Sequence, residues 1–190
     1  MNKKLTPIET VDLLISTYPE LKQAKNMLQS FLDESKVQII EIRNIKSGAS
    51  GVSLHDKVVI HSRILKRPVY RALYIIFHEI AHQYQYKKYG VKKMYSFYNN
   101  KISLQEAVNF MKKCEDTADR FAISKLKQLK RSGIENLDDI YTLGKGAYSN
   151  TPLSYFEEFI VQLRDTIRNN SEDPNKVSAM LYNTFVEAMY

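Results

Sequence analysis

The chain has a single cysteine, Cys114, so no disulfide can close within it and its fold needs no oxidising compartment. It has no apolar run near 18 residues, which argues against a membrane-spanning helix. Lys3 and Lys4 open the chain as a signal peptide would. Glu9 and Asp12 then interrupt the following apolar stretch, and no small-residue cleavage site follows. The expectation is a cytoplasmic protein without membrane contact. Internal repeats, low-complexity tracts and linker-like stretches are all lacking, so residues 1–190 are expected to form one domain.

What is present is ordinary globular material. Hydrophobic residues make up 44% and charged residues 26% of the 190 positions. Lys and Arg number 28 against 21 Asp and Glu, a net charge of +7. A basic balance favours acidic partners, nucleic acid among them. The lysines are widely spread, however, and solvated faces are the simpler account.

Thr6, Pro7 and Glu9 make a capping box with proline at the first helical position, opening a helix to about Ser16. A second amphipathic helix is expected from Pro19 to about Asp33, with Leu21, Ala24, Leu28 and Phe31 on one side. Residues 37–43 are rich in β-branched side chains and read as a strand, and residues 47–51 read as a loop. Residues 52–54 and 58–61 flank His55, Asp56 and Lys57 as a β-hairpin, giving a sheet of about three strands. Pro68 opens a helix that Gly90 closes, apolar nearly all round in its first half. Ser103 and Glu106 form another capping box, starting a long helix to about Lys130. A helical turn over 137–143, a loop over 144–150 and helices over 152–168 and 174–189 complete the reading. The fold class is α+β, mostly helical, with a small antiparallel or mixed sheet near the N-terminus; a metal-site core is expected over about 37–130 and further helices over 151–190.

His78, Glu79, Ile80, Ala81 and His82 spell H-E-x-x-H inside the predicted helix of residues 68–89. On a helix, positions i and i+4 stand one above the other, so both imidazoles can reach one metal ion. Two histidines and a carboxylate without a partner would be costly in the most apolar helix of the chain. A catalytic zinc takes a third protein ligand and leaves its fourth position to water. The four histidines are His55, His61, His78 and His82, so none follows the motif. The third ligand should therefore be a downstream carboxylate or, as the weaker candidate, Cys114.

The long helix offers one. Its apolar stripe runs Leu104, Val108, Met111, Ala118, Ala122, Leu126 and Leu129, and Glu115 falls in the gap. A buried carboxylate needs a partner, and a metal ion is the natural one. The alternative is a charge at the stripe's edge paired with a base such as Lys112. Asp119, one turn on, could accept a hydrogen bond from the far nitrogen of a ligating histidine, or be a plain solvated charge.

With these residues in hand, the chain resembles a gluzincin, with H-E-x-x-H on one helix and a glutamate on a later one. The run Glu115, Asp116, Thr117, Ala118, Asp119, Arg120, Phe121, Ala122 resembles the E-x-x-A-N/D-x-F-A signature of small cytoplasmic metallopeptidases of the ImmA/IrrE type. The likeness covers roughly residues 37–125. It implies a minimal zincin-like fold, one catalytic Zn2+ on His78, His82 and Glu115, and an edge strand that takes an extended peptide. It further implies a regulatory protease acting on a cytoplasmic protein substrate, such as a DNA-bound repressor, in a phage or other mobile element.

The chemistry expected is metal-assisted amide hydrolysis with Glu79 as general base. Tyr148 and Tyr155 are candidates for stabilising the oxyanion. A peptide could add beside residues 52–54 or 58–61, with His61 near that groove or simply at the surface. Two other readings are a non-catalytic, zinc-stabilised binding or regulatory protein, DNA-associated in one version, and a nucleic-acid-binding module with steeply salt-dependent affinity.

Overall fold

Local signals set the first helix. In the computed structural model, which describes residues 3–45, 50–94, 96, 102–137 and 151–170, α1 spans Pro7–Thr17. The Thr6 hydroxyl accepts from the Glu9 N–H, and the Glu9 carboxylate accepts from the Thr6 N–H at 2.7 Å. Ahead of it, Lys3–Leu5 forms a short strand, β1, that sequence reasoning missed: it contains no β-branched residue and exists by pairing antiparallel with a later strand.

The helix expected from Pro19 is split. Pro19–Ala24 is a 3-10 helix, and α2 follows over Lys25–Ser35. Leu21 and Ala24 are both buried, and the tighter 3-10 winding brings positions i and i+3 to one side. Lys36, in the left-handed region at φ 53°, ends α2.

Three more strands complete a mixed sheet: β2 at Ile40–Arg43, β3 at Gly51–Ser53 and β4 at Val58–His61, in the order β1-β2-β4-β3. β3 and β4 form the expected hairpin, with the Leu54 N–H donating to the Lys57 carbonyl. β2 runs parallel to β4 and is shorter than the expected 37–43. Gly51, expected in a loop, is the first residue of β3. β4 lies between β2 and β3, so its backbone is already paired on both sides and no peptide can add beside it. One sheet face supplies Ile40, Ile42, Val58 and Ile60 to the main core; the other carries Val52, Val59 and the buried Glu41, which Lys57 reaches at 3.0 Å.

Beneath the sheet lies α3, Val69–Tyr89, ended by Gly90 at φ 77°. A short helix α4, Val91–Met94, leads on to α5, Leu104–Arg131, opened by the Ser103–Glu106 capping box, and α6 spans Leu153–Asn170. The expected turn over 137–143, apart from Leu137 itself, and the loop over 144–150 lie outside the described residues, as does the helix over 174–189. Among the described residues no helix is long and apolar enough to cross a membrane.

α5 divides its apolar stripe between two clusters. Ala107, Val108, Met111 and Cys114 pack with Phe156, Phe159, Ile160 and Leu163 of α6. Ala122, Leu126 and Leu129 join the main core, where Phe77 meets Phe31 edge-on at 5.7 Å between ring centres. Glu115 and Asp119 sit at the junction. Phe77→Ala is expected to destabilise the protein by about 3–5 kcal/mol in urea unfolding, because the cavity forms where two helices and the sheet converge; a loss below about 1 kcal/mol would show that this ring is not part of the tight core.

Candidate metal centre

The interior of α3 carries His78, Glu79 and His82, and helical spacing turns both imidazoles the same way. Their Nε2 atoms stand 3.2 Å apart. Glu115 reaches them from α5: one carboxylate oxygen is 3.1 Å from His78 Nε2, and the other is 3.6 Å from His82 Nε2. A tetrahedral ion with bonds of about 2.0–2.1 Å spaces its ligand atoms roughly 3.3 Å apart. The two imidazole nitrogens and the Glu115 carboxylate, each of its oxygens near one of them, are thus gathered at the spacing that the ligands of one ion require. This buried group can hold a metal ion.

A second layer orients the donors. The Asp119 carboxylate, with no solvent exposure, accepts from His78 Nδ1–H at 2.9 Å, and the Tyr74 hydroxyl donates to the same oxygen. A carboxylate can only accept, so the proton is on Nδ1 and, in the neutral ring, Nε2 is free to ligate. His82 is held differently. Its Nδ1 lies 2.8 Å from Gln85 Oε1, and Gln85 Nε2 donates to the Cys114 carbonyl at 2.7 Å. That carbonyl can only accept, which fixes the amide orientation, so His82 Nδ1 is the donor. Gln85 thus ties the second histidine of α3 to the residue preceding Glu115 on α5.

The electrostatics follow from this enclosure. Burial pushes the His78 imidazole toward the neutral form, but hydrogen bonds to Asp119 and Glu115, with the charges of Glu115 and Glu79, outweigh it and raise its pKa to about 10. Burial likewise opposes ionisation of Glu115, yet His82 and His78 hold its carboxyl below the usual range. Glu79 moves the other way. Burial raises it more than the two histidines and a hydrogen bond from the Ser53 N–H lower it, and Glu115 adds to the rise. Burial, then the Glu115 charge, pushes the Cys114 thiol up to about 12, so it is a neutral core group at physiological pH.

Of the residues singled out from sequence, His78, His82 and Glu115 meet at one point, with Asp119 directly behind His78 and Glu79 buried beside them. Asp119 is not a solvated charge. Lys112 pairs with Asp116 at 3.2 Å. Cys114 contributes its backbone carbonyl to Gln85, and its side chain packs in the cluster with α6. His61 caps the 3-10 helix Ser62–Lys66, its Nδ1 accepting from the Arg63 N–H. Tyr155 lies in the first turn of α6, exposed and edge-on to Phe156. Tyr148 lies outside the described residues. Tyr74 and Gln85 were missed. Each is visible in the spacing, one turn before His78 and three residues after His82, but nothing in sequence separates them from the other tyrosines and glutamines.

No protein-family model matches the chain, and neither does any curated protein or solved structure.

Two outcomes are expected. Gln85→Leu should weaken divalent-ion affinity by about 10–100-fold while circular dichroism stays unchanged; an unaltered affinity would remove Gln85 from the site. In the metal-free protein, the raised His78 pKa stabilises the fold fully below about 6.5, and this contribution is lost as pH rises toward 10. The lowered Glu115 pKa stabilises it above about 4.5, and this is lost as pH falls through the folded value. Stability should therefore peak between these limits, with the alkaline slope of the urea midpoint flattened in Asp119→Asn.

Proposed function

We propose that this chain is a zinc-dependent metallopeptidase that hydrolyses peptide bonds in a cytoplasmic protein substrate. The observation that carries the reading is the convergence of the two Nε2 atoms and the Glu115 carboxylate at one point, with the buried Glu79 next to it. Two imidazoles and one carboxylate are a donor set suited to zinc, and three protein ligands leave a position for water or substrate. A purely structural zinc is closed by a fourth protein ligand; among the described residues the group has three.

Zinc held there supplies Lewis-acid polarisation of the scissile carbonyl and lowers the pKa of a water toward neutrality. Glu79 removes a proton from the attacking water and delivers it to the departing amine. Its burial favours this exchange, because an upward-shifted carboxyl is a better base than an exposed one. Asp119 and Gln85 keep the two imidazoles turned with Nε2 inward throughout. An extended substrate would be received on the outer edge of β3 at Gly51, since β4 is enclosed and the Ser53 carbonyl already accepts from the Tyr86 hydroxyl. The resemblance of residues 115–122 to the ImmA/IrrE signature points to a regulatory role, with a repressor-type protein as substrate and a phage or mobile element as setting.

Purified wild type should contain about one zinc per chain, and His82→Ala and Glu115→Ala should lose it. Glu79→Gln should keep zinc and the fold while losing roughly 10²–10⁴-fold in hydrolysis of a mixed peptide library. A Glu79→Gln protein that performs its biological role as wild type does would replace the peptidase reading with a zinc-stabilised binding protein. Zinc retained by Glu115→Ala would refute the ligand set.

A further inference from the structure

β3 passes α3 at the turn that carries Glu79. The His61 N–H donates to the Ser50 carbonyl, and the Leu54 N–H donates to the Lys57 carbonyl. By the alternation of an antiparallel pair, Ser50, Val52 and Leu54 turn their peptide groups toward β4, and Gly51 and Ser53 turn theirs to the open edge. On that edge the Ser53 N–H lies near enough to the Glu79 carboxylate to favour its ionised form. Gln83, one turn along α3, donates from Nε2 to the Ser53 hydroxyl at 2.6 Å and to the Leu54 carbonyl. The strand is therefore clamped to the helix on the C-terminal side of Gly51.

Gly51 itself faces Glu79. A Cβ placed on it would stand 2.7 Å from Glu79 Cγ and 3.0 Å from Glu79 Oε1. These separations are well inside carbon contact distance, which is about 3.5–4.0 Å. Glycine is not needed here for its backbone: among the described residues the positive-φ glycines are Gly90 and Gly133, whereas Gly51 is paired strand. Alanine would be the better strand former at such a position. What requires glycine is the space occupied by the Glu79 side chain.

We propose that Gly51 is a positioning residue for the Glu79 carboxylate. The missing side chain leaves a notch in β3 where Glu79 Cγ and its carboxyl group lie. The functional meaning of this notch rests on Glu79 being the general base; its existence does not. A side chain at 51 drives the Glu79 carboxylate out of the notch and leaves His78, His82 and Glu115, which are anchored through Asp119, Gln85 and α5, where they are.

The test is a double-mutant cycle on the zinc-loaded protein: wild type, Gly51→Ala, Glu79→Ala and the two together, followed by thermal unfolding and zinc titration. Gly51→Ala alone should lower Tm by roughly 3–10 °C through overpacking. Combined with Glu79→Ala it should lower Tm not at all, because truncation at 79 vacates the contested volume. The zinc Kd of Gly51→Ala should equal that of wild type, and kcat on the peptide library should fall about 10²-fold with KM unchanged. Should Gly51→Ala fail to fold, recovery of a folded double variant carries the same meaning. An equal loss of Tm in both backgrounds overturns the proposal, as does zinc affinity reduced in Gly51→Ala as far as in His82→Ala. Coupling in Tm, together with a wild type that cleaves no peptide, would leave the notch standing and remove the peptidase reading.

Discussion

Burying an ionised carboxylate among apolar side chains is unfavourable by more than any one packing contact returns, and the seam between α3 and α5 contains three carboxylates: Glu79, Glu115 and Asp119. The structure tolerates them because each has a partner. His78 lies between Glu115 and Asp119, the Tyr74 hydroxyl shares the Asp119 oxygen, and Glu79 stands within the charge of both His78 and His82. Removing any one partner leaves a charge in a dry place, which is much worse than losing a surface ion pair. The two apolar clusters along α5, one on either side of the junction, hold the helices close enough for these pairings to persist.

How much was legible in the sequence follows the range of the interactions involved. The capping boxes at Thr6–Glu9 and Ser103–Glu106 are written within four residues, and both helices begin where those residues say. The i, i+4 pairing of His78 and His82 is likewise local. Glu115 was identifiable because a single polar residue interrupts an otherwise regular stripe, and the periodicity alone points it at the core. β1 was not legible, since Lys3–Leu5 carries no strand signal and depends on pairing with residues some forty positions away. The parallel alignment of β2 with β4, and hence the enclosure of β4, belongs to the same class. Gly51 misled for a different reason: in sequence it ends a Ser- and Gly-rich stretch, and only the approach of Glu79 explains why a strand contains it.

Division of labour between sheet and helices is also clear. The helices supply the donors and the residues that orient them. The sheet supplies little chemistry of its own, but at Gly51 it leaves the gap that the Glu79 side chain occupies. Gln83 binds the two halves together from the helix side. A site assembled this way depends on tertiary packing as a whole, not on any single supersecondary unit.

The hydrogen bond from Gln85 to the Cys114 carbonyl has an evolutionary corollary. It locks the rotational phase of α5 against α3 at the residue before Glu115. Each residue of an α-helix advances the side-chain direction by about 100°. An insertion or deletion between Ser103 and Cys114 would turn Ala107, Val108 and Met111 away from α6, whereas a change of length ahead of Ser103 would leave their bearing untouched. Related chains that keep this centre should therefore vary in length before α5 and be nearly invariant in length within its first three turns.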